Sequence, residues 1–252
     1  MPDFSRDLRL FADGTELAHG CRMALTAGSA LSLRPALHHL AVRDLSDSSA
    51  AFLSGARRIE IRSGPSVIVA GELSEALTHI SGGKRITELV FSPGLSLWQS
   101  SVSLSVPGGT RVSDTIRSLL SASASGLPLA AFAAEDRPMA RPQNFFGRTC
   151  DALALLAETV DADIWVSYAG VCVSGRSPGN PSFALPDSVL LSAPILTGRR
   201  LLVTTAMMGW LIGSYARVEW QGNAWEGRIV SSLIQADNKD GPWESELELE
   251  VL

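Results

Sequence analysis

The chain has 252 residues, enough for one large domain or two small ones with an insert. Apolar residues make up 46% of it and charged residues 19%, which excludes wholesale disorder. The net charge is −5 with no block of lysines or arginines, and tight binding to duplex nucleic acid needs a concentrated basic footprint that is missing here.

The opening "MPDFSRDLRLF" carries charges every few residues, unlike the apolar stretch of a signal peptide. Residues 1–105 read as β-rich. Asp13-Gly14 stands between two short apolar segments, a hairpin signal because that pair accepts positive φ. In "RRIEIRSGPSVIVAGEL", Ile59 and Ile61 alternate with charged neighbours, and Val67 and Val69 follow. "SGGKRITELVFS" supplies a further turn and strand, and "LSLWQSSVSLSV" one more strand. Short strands separated by Gly, Ser and Pro turns predict a small barrel or sandwich.

Residues 106–175 change character. Ser113 is the expected N-cap of a helix, with Asp114 just inside it and Ile116, Leu119 and Leu120 on one face behind Val112. A connection with Pro128, Pro138 and Pro142 leads to a second helix, capped by Thr149 and apolar along Cys150, Leu153, Ala157 and Val160. "ADIWVSYAGVCVSG" then predicts a hairpin with Ile164, Val166 and Tyr168 on one face. Residues 176–252 begin with the linker "RSPGNPSFAL" and return to strands. The last alternates cleanly, with Trp243, Leu247, Leu249 and Val251 on one face and Glu244, Glu246, Glu248 and Glu250 on the other. The greasiest run, "LLVTTAMMGWLIG", is too short to cross a membrane, so a soluble chain is expected.

Candidate chemistry is thin. "PGGTRVSD" has no lysine, and "SGGKRI" has Thr78 where a phosphate loop needs its first glycine and Arg85 where it needs a hydroxyl, so both read as turns. "GRSPG" matches the G-x-S-x-G nucleophile elbow at Ser177, but prolines follow the serine and all four histidines precede it. A linker serine is the better reading, and a serine hydrolase the weakest of three functional classes. His38 and His39 are adjacent on an expected strand, point to opposite faces and cannot share one metal ion. Asp161 and Asp163 form a D-x-D pair that suits a helix-to-strand turn at least as well as a metal. Cys21, Cys150 and Cys172 lack metal or redox spacing and read as small core residues in a reducing compartment. No cofactor and no metal are expected. The six tryptophans raise a carbohydrate- or receptor-binding module as an alternative, and Trp210, Leu211 and Ile212, between Gly209 and Gly213, are the expected interface cluster.

The order of parts resembles the baseplate hub proteins of tailed phages and Mu-like prophages. The resemblance rests on Val112, Ser113, Asp114, Ile116 and Leu119 of "V-S-D-x-I-x-x-L", on the helix-then-hairpin segment from Leu153 to Val173, and on the late "G-x-x-I/V-x-S" strand from Gly227 to Ser231. It implies a mainly β chain with an α+β insert: two small β-barrel domains, 1–105 and 176–252, flanking a helix–helix–hairpin insert, 106–175. It further implies a non-enzymatic virion tail component, made in a bacterial cytoplasm. As a homotrimeric ring, it would join tail-tube and distal tail proteins to a central spike or fibre. DNA would pass through the lumen without specific binding and no membrane would be engaged. Glu244, Glu246, Glu248 and Glu250 would then suit a channel wall, because an acidic face repels phosphate.

Overall fold

The computed structural model describes residues 6–177, 183–206 and 212–251. The first stretch forms β1 (Arg9–Ala12), β2 (Thr15–His19), β3 (Met23–Ala30), β4 (His38–Arg43), helix α1 (Asp47–Leu53), β5 (Arg58–Ser63), β6 (Ser66–Ser81) and β7 (Lys84–Ser92). Next come α2 (Leu95–Gln99), β8 (Ser101–Val106), α3 (Val112–Ala122), β9 (Leu129–Ala133), β10 (Gln143–Arg148), α4 (Thr149–Thr159), β11 (Ala162–Ser167) and β12 (Gly170–Gly175). The chain ends with β13 (Phe183–Leu185), β14 (Ile195–Thr197), β15 (Arg200–Ala206), β16 (Tyr215–Trp220), β17 (Asn223–Asp237) and β18 (Trp243–Val251). The fold is mainly β, as expected.

The chain forms two compact units. One takes the described residues of Met1–Ala30, Ala36–Ser92 and Pro178–Leu252, and the other Leu31–Pro35 and Pro93–Ser177. In the first, one sheet runs in the order β14-β15-β18-β17-β3-β4-β7-β6-β5-β1-β2, with β16 on β17 and β13 on β16. Among the described residues this path does not close on itself. Two long strands change partners along their length. β6 pairs with β5 up to Glu72 and then with β7, and β17 leaves β16 after Arg228 and pairs with β3 from Ser231. Each change coincides with a register shift, at Leu73/Glu75 and at Ile229/Ser231, where an extra residue bends the sheet.

Alternation decides which side is buried. Met23, Leu25 and Ala27 of β3, Leu40 and Val42 of β4, Ile59 and Ile61 of β5, and Leu89 and Phe91 of β7 share a core with Ile234 and Ala236 of β17. Asp13 (φ 45°) and Gly14 (φ 81°) make the expected β1–β2 turn, and the Asp13 carboxylate also accepts from the backbone N–H groups of Arg57 and Arg58.

The second unit buries α3 and α4 against β8, β10, β11 and β12. Ile116, Leu119, Leu120, Leu153, Leu156, Val160, Ile164 and Val173 line its core, with Leu33 contributed by the short Leu31–Pro35 segment. Three details differ from the sequence reading. Leu95–Gln99 is a helical turn rather than part of a strand. It starts at Gly94, whose φ is 74° and whose missing Cβ would lie 3.0 Å from the Val166 side chain. Ser113 lies inside α3, and Arg111 takes the N-cap position. The helix start is instead held by Asp136, which accepts from the Ser113 N–H at 3.0 Å and from its hydroxyl at 2.8 Å. Thr149 is likewise inside α4 and buried, its hydroxyl accepting from Ser100 at 2.7 Å.

Candidate assembly surface

The glutamates of β18 lie opposite its buried Ser245, Leu247 and Leu249. Laterally paired residues share a face, so the register extends that surface across the sheet. Glu246 stands beside Thr204 of β15 and Leu233 of β17, and Glu244 beside Gln235. Gln235 leads to Thr26, then to His39, Val90 and Glu75, while Ala24 leads to Ala41, Glu88 and Leu77. This outer face mixes small and polar residues with a few aliphatic ones, Leu233, Val90 and Leu77, and carries glutamates at intervals. Its cations sit at the margin, where Arg200 pairs with Glu248 at 3.4 Å, and Glu248 also accepts from the Ser231 hydroxyl at 2.9 Å.

Two open edges bound this part of the sheet. From Ser74 to Ser81, β6 is paired with β7 alone, and its other side carries no strand among the described residues. That edge exposes Leu77 and Ile80 and has a single charge, Glu75. At the opposite end β14 pairs only with β15 and exposes Ile195 and Leu196, with Leu191 exposed nearby in sequence. The long, weakly charged edge of β6 is a template for another strand, and the three-residue β14 offers a shorter one. Composition hid them, because an edge is defined by the strand that is missing.

The expected interface cluster fares differently. Trp210 and Leu211 lie outside the described residues, and Ile212 is only 8% exposed, so its side chain packs inside the chain. None of the five described tryptophans is exposed. Trp165 is buried, and Trp98, Trp220, Trp225 and Trp243 are half-buried. The motive for a sugar-stacking module is therefore absent among them.

The remaining candidates resolve into structural roles. Ser177 is exposed beyond β12, Pro178 and Gly179 of its motif lie outside the described residues, and the next described element is a strand instead of an elbow helix. Asp163 accepts from Arg176 Nε at 2.9 Å and Asp161 lies 3.6 Å from the same guanidinium, so an arginine occupies the D-x-D pair. His38 is buried and His39 exposed, on opposite faces of β4. Burial pushes the His38 imidazole down to about 4, a backbone hydrogen bond at Leu37 opposes the shift, and the neighbouring His39 adds to it. Burial raises the thiols of Cys150 and Cys172, as befits inert core cysteines. No group of three or more potential metal ligands exists among the described residues, and no described helix is long and apolar enough to cross a membrane.

Solved structures share this arrangement along nearly the whole chain. A tail protein from Neisseria meningitidis superposes with a TM-score of 0.74 at 14% identity, covering 97% of this chain and 96% of that one. The chain has the fold of phage tail proteins. A 43 kDa tail protein of prophage MuSo2 from Shewanella oneidensis gives 0.74 at 10% identity, covering 96% and 98%. An E. coli component of the type VI secretion system, described as similar to the T4 bacteriophage tail proteins gp27 and gp5, gives 0.70 at 11% identity, covering 96% and 76%. No protein-family model and no curated protein matches the sequence. The tail-protein fold is thus carried by the pattern of buried positions and almost not at all by residue identity.

Proposed function

We propose that the chain is a structural component of a phage-type tail. In this reading three copies form a hub ring that joins the tail tube to the central spike or tail tip. The observation that carries it is the pair of unlike open edges, β6 and β14, at opposite ends of one acid-faced stretch of sheet. Pairing one edge with the other edge of the next copy is a head-to-tail contact, and such contacts generate closed rings when the rotation closes. The glutamate face would then line the lumen, where it repels the phosphates of passing DNA. The tail-protein fold supports a tail role, and the partner changes in β6 and β17 support reading the two ends of the sheet as two small barrels. The role is mechanical and asks for no catalytic centre.

Size-exclusion chromatography with light scattering on the purified chain, followed by negative-stain imaging with its tail partners, tests the reading. A mass of three chains and ring-shaped particles are expected. A monomer that stays monomeric with those partners would overturn it.

A further inference from the structure

The second unit carries a feature that ring formation does not use. A groove of about 410 Å³ runs along one side of α4, lined by Ala154, Ala157, Ala162, Leu33 and Ile164, with Trp98 and three arginines at its walls. Arg176 is neutralised by Asp161 and Asp163. Arg34 and Arg148 have no carboxylate partner among the described residues. Arg148 lies with its guanidinium carbon 4.2 Å from the centre of the Trp98 ring, a stack that fixes the planar fork and leaves its edge free for an acceptor.

The same arginine ends β10, on the outward face of the β8–β10 ribbon. Phe145 of that strand is buried, and Phe146 is 92% exposed beside Ser103. Phe146 thus shares the outward face of β10 with Arg148, two residues on, and Arg148 in turn shares the groove with Trp98 and Arg34. Trp and Arg anchors are enriched at protein-recognition sites. Asp151 and Glu158 also line the groove and would oppose a densely charged phosphate chain. They balance Arg34 and Arg148 in number, so a ligand fits only if its carboxylates are few and placed directly on the guanidinium forks.

We infer that this surface binds an acidic, apolar-spaced peptide segment of a partner protein, with a carboxylate on Arg148 and Arg34 and an apolar side chain against Phe146. The inference is independent of the ring: it concerns a surface of the second unit and holds for a monomer as well.

The test is fluorescence anisotropy of the intact protein with a short fluorescein-labelled peptide alternating Glu and Phe. A Lys-and-Phe analogue, a single-stranded oligonucleotide and inorganic phosphate serve as competitors. The acidic peptide is expected to bind, to weaken with added salt, and to lose about tenfold in affinity in Arg148→Ala and in Phe146→Ser. Arg34→Ala, on an exposed loop position, gives a second reading free of any effect on the Trp98 stack, and circular dichroism checks that each variant folds. Competition by the oligonucleotide or by phosphate alone would overturn the inference in favour of phosphate recognition. Absence of peptide binding, or binding unchanged in both arginine variants, would also overturn it.

Discussion

His38 shows what a single side chain reports about this fold. Two-residue periodicity already separates His38 from His39, and the structure keeps that separation. The depth of His38 is not legible, because it depends on Phe91 of β7, whose ring meets the imidazole edge-on at 5.2 Å. Among the described residues its buried Nδ1 has no hydrogen-bond partner of good geometry, and burial penalises the charged ring more than the neutral one. The unfolded chain takes up the proton near 6.5 and the folded chain only near 4. Between those values the unfolded state binds more protons, so stability falls as pH drops from 6.5 towards 4 and is unaffected by this group above 6.5. The loss amounts to about 3 kcal/mol across the window. Urea unfolding at neutral pH and again near the lower limit should show His38→Leu losing less stability than the parent by that margin. Identical losses in both proteins would show that other groups govern the acid limb.

At the level of elements, regular periodicity was readable and its interruptions were not. β5, α3 and α4 bury the residues their patterns assign, and β18 buries Leu247 and Leu249 with Trp243 and Val251 half-buried at its ends, because each has one apolar face and one core to meet. The helical turn at α2 was hidden because Leu95 and Leu97 alternate like a strand, while Gly94, with positive φ against Val166, redirects the chain. The cap of α3 escapes local pattern for a different reason. Asp136 comes from a loop 23 residues away, and local capping rules see only near neighbours. The open edge of β6 belongs to this scale too. Leu77 and Ile80 are exposed in the single chain, so replacing both with lysine should change monomer stability by no more than about 1 kcal/mol. If that edge receives a strand from the next copy, Leu77→Lys/Ile80→Lys should shift the light-scattering mass from trimer to monomer, keep the folded circular-dichroism spectrum, and lower the melting midpoint only by the concentration-dependent part that association supplies. A variant that stays trimeric would place the contact elsewhere.

For the whole molecule, the decisive pairing joins residues from opposite ends of the chain. β17 lies on β3, with Gln235 opposite Thr26 and Ala236 opposite Leu25, and no local pattern announces a partner so remote. That ladder is what makes the glutamates of β18 continuous with Glu88 and Glu75 of the N-terminal strands, turning one alternating strand into an acidic face. The proposed ring gives this face a definite position, and chemical access can locate it. Glu246 is exposed, so Glu246→Cys in a Cys21→Ser background places one accessible thiol on the face while Cys150 and Cys172 remain buried. Inside a lumen the thiol should react with a small maleimide and be shielded from a polymer-linked one. In the monomer made by Leu77→Lys/Ile80→Lys it should react with both. Equal reaction with both reagents in the trimer would turn the glutamates outward, leaving the assembly intact but removing the acidic wall from the path of DNA.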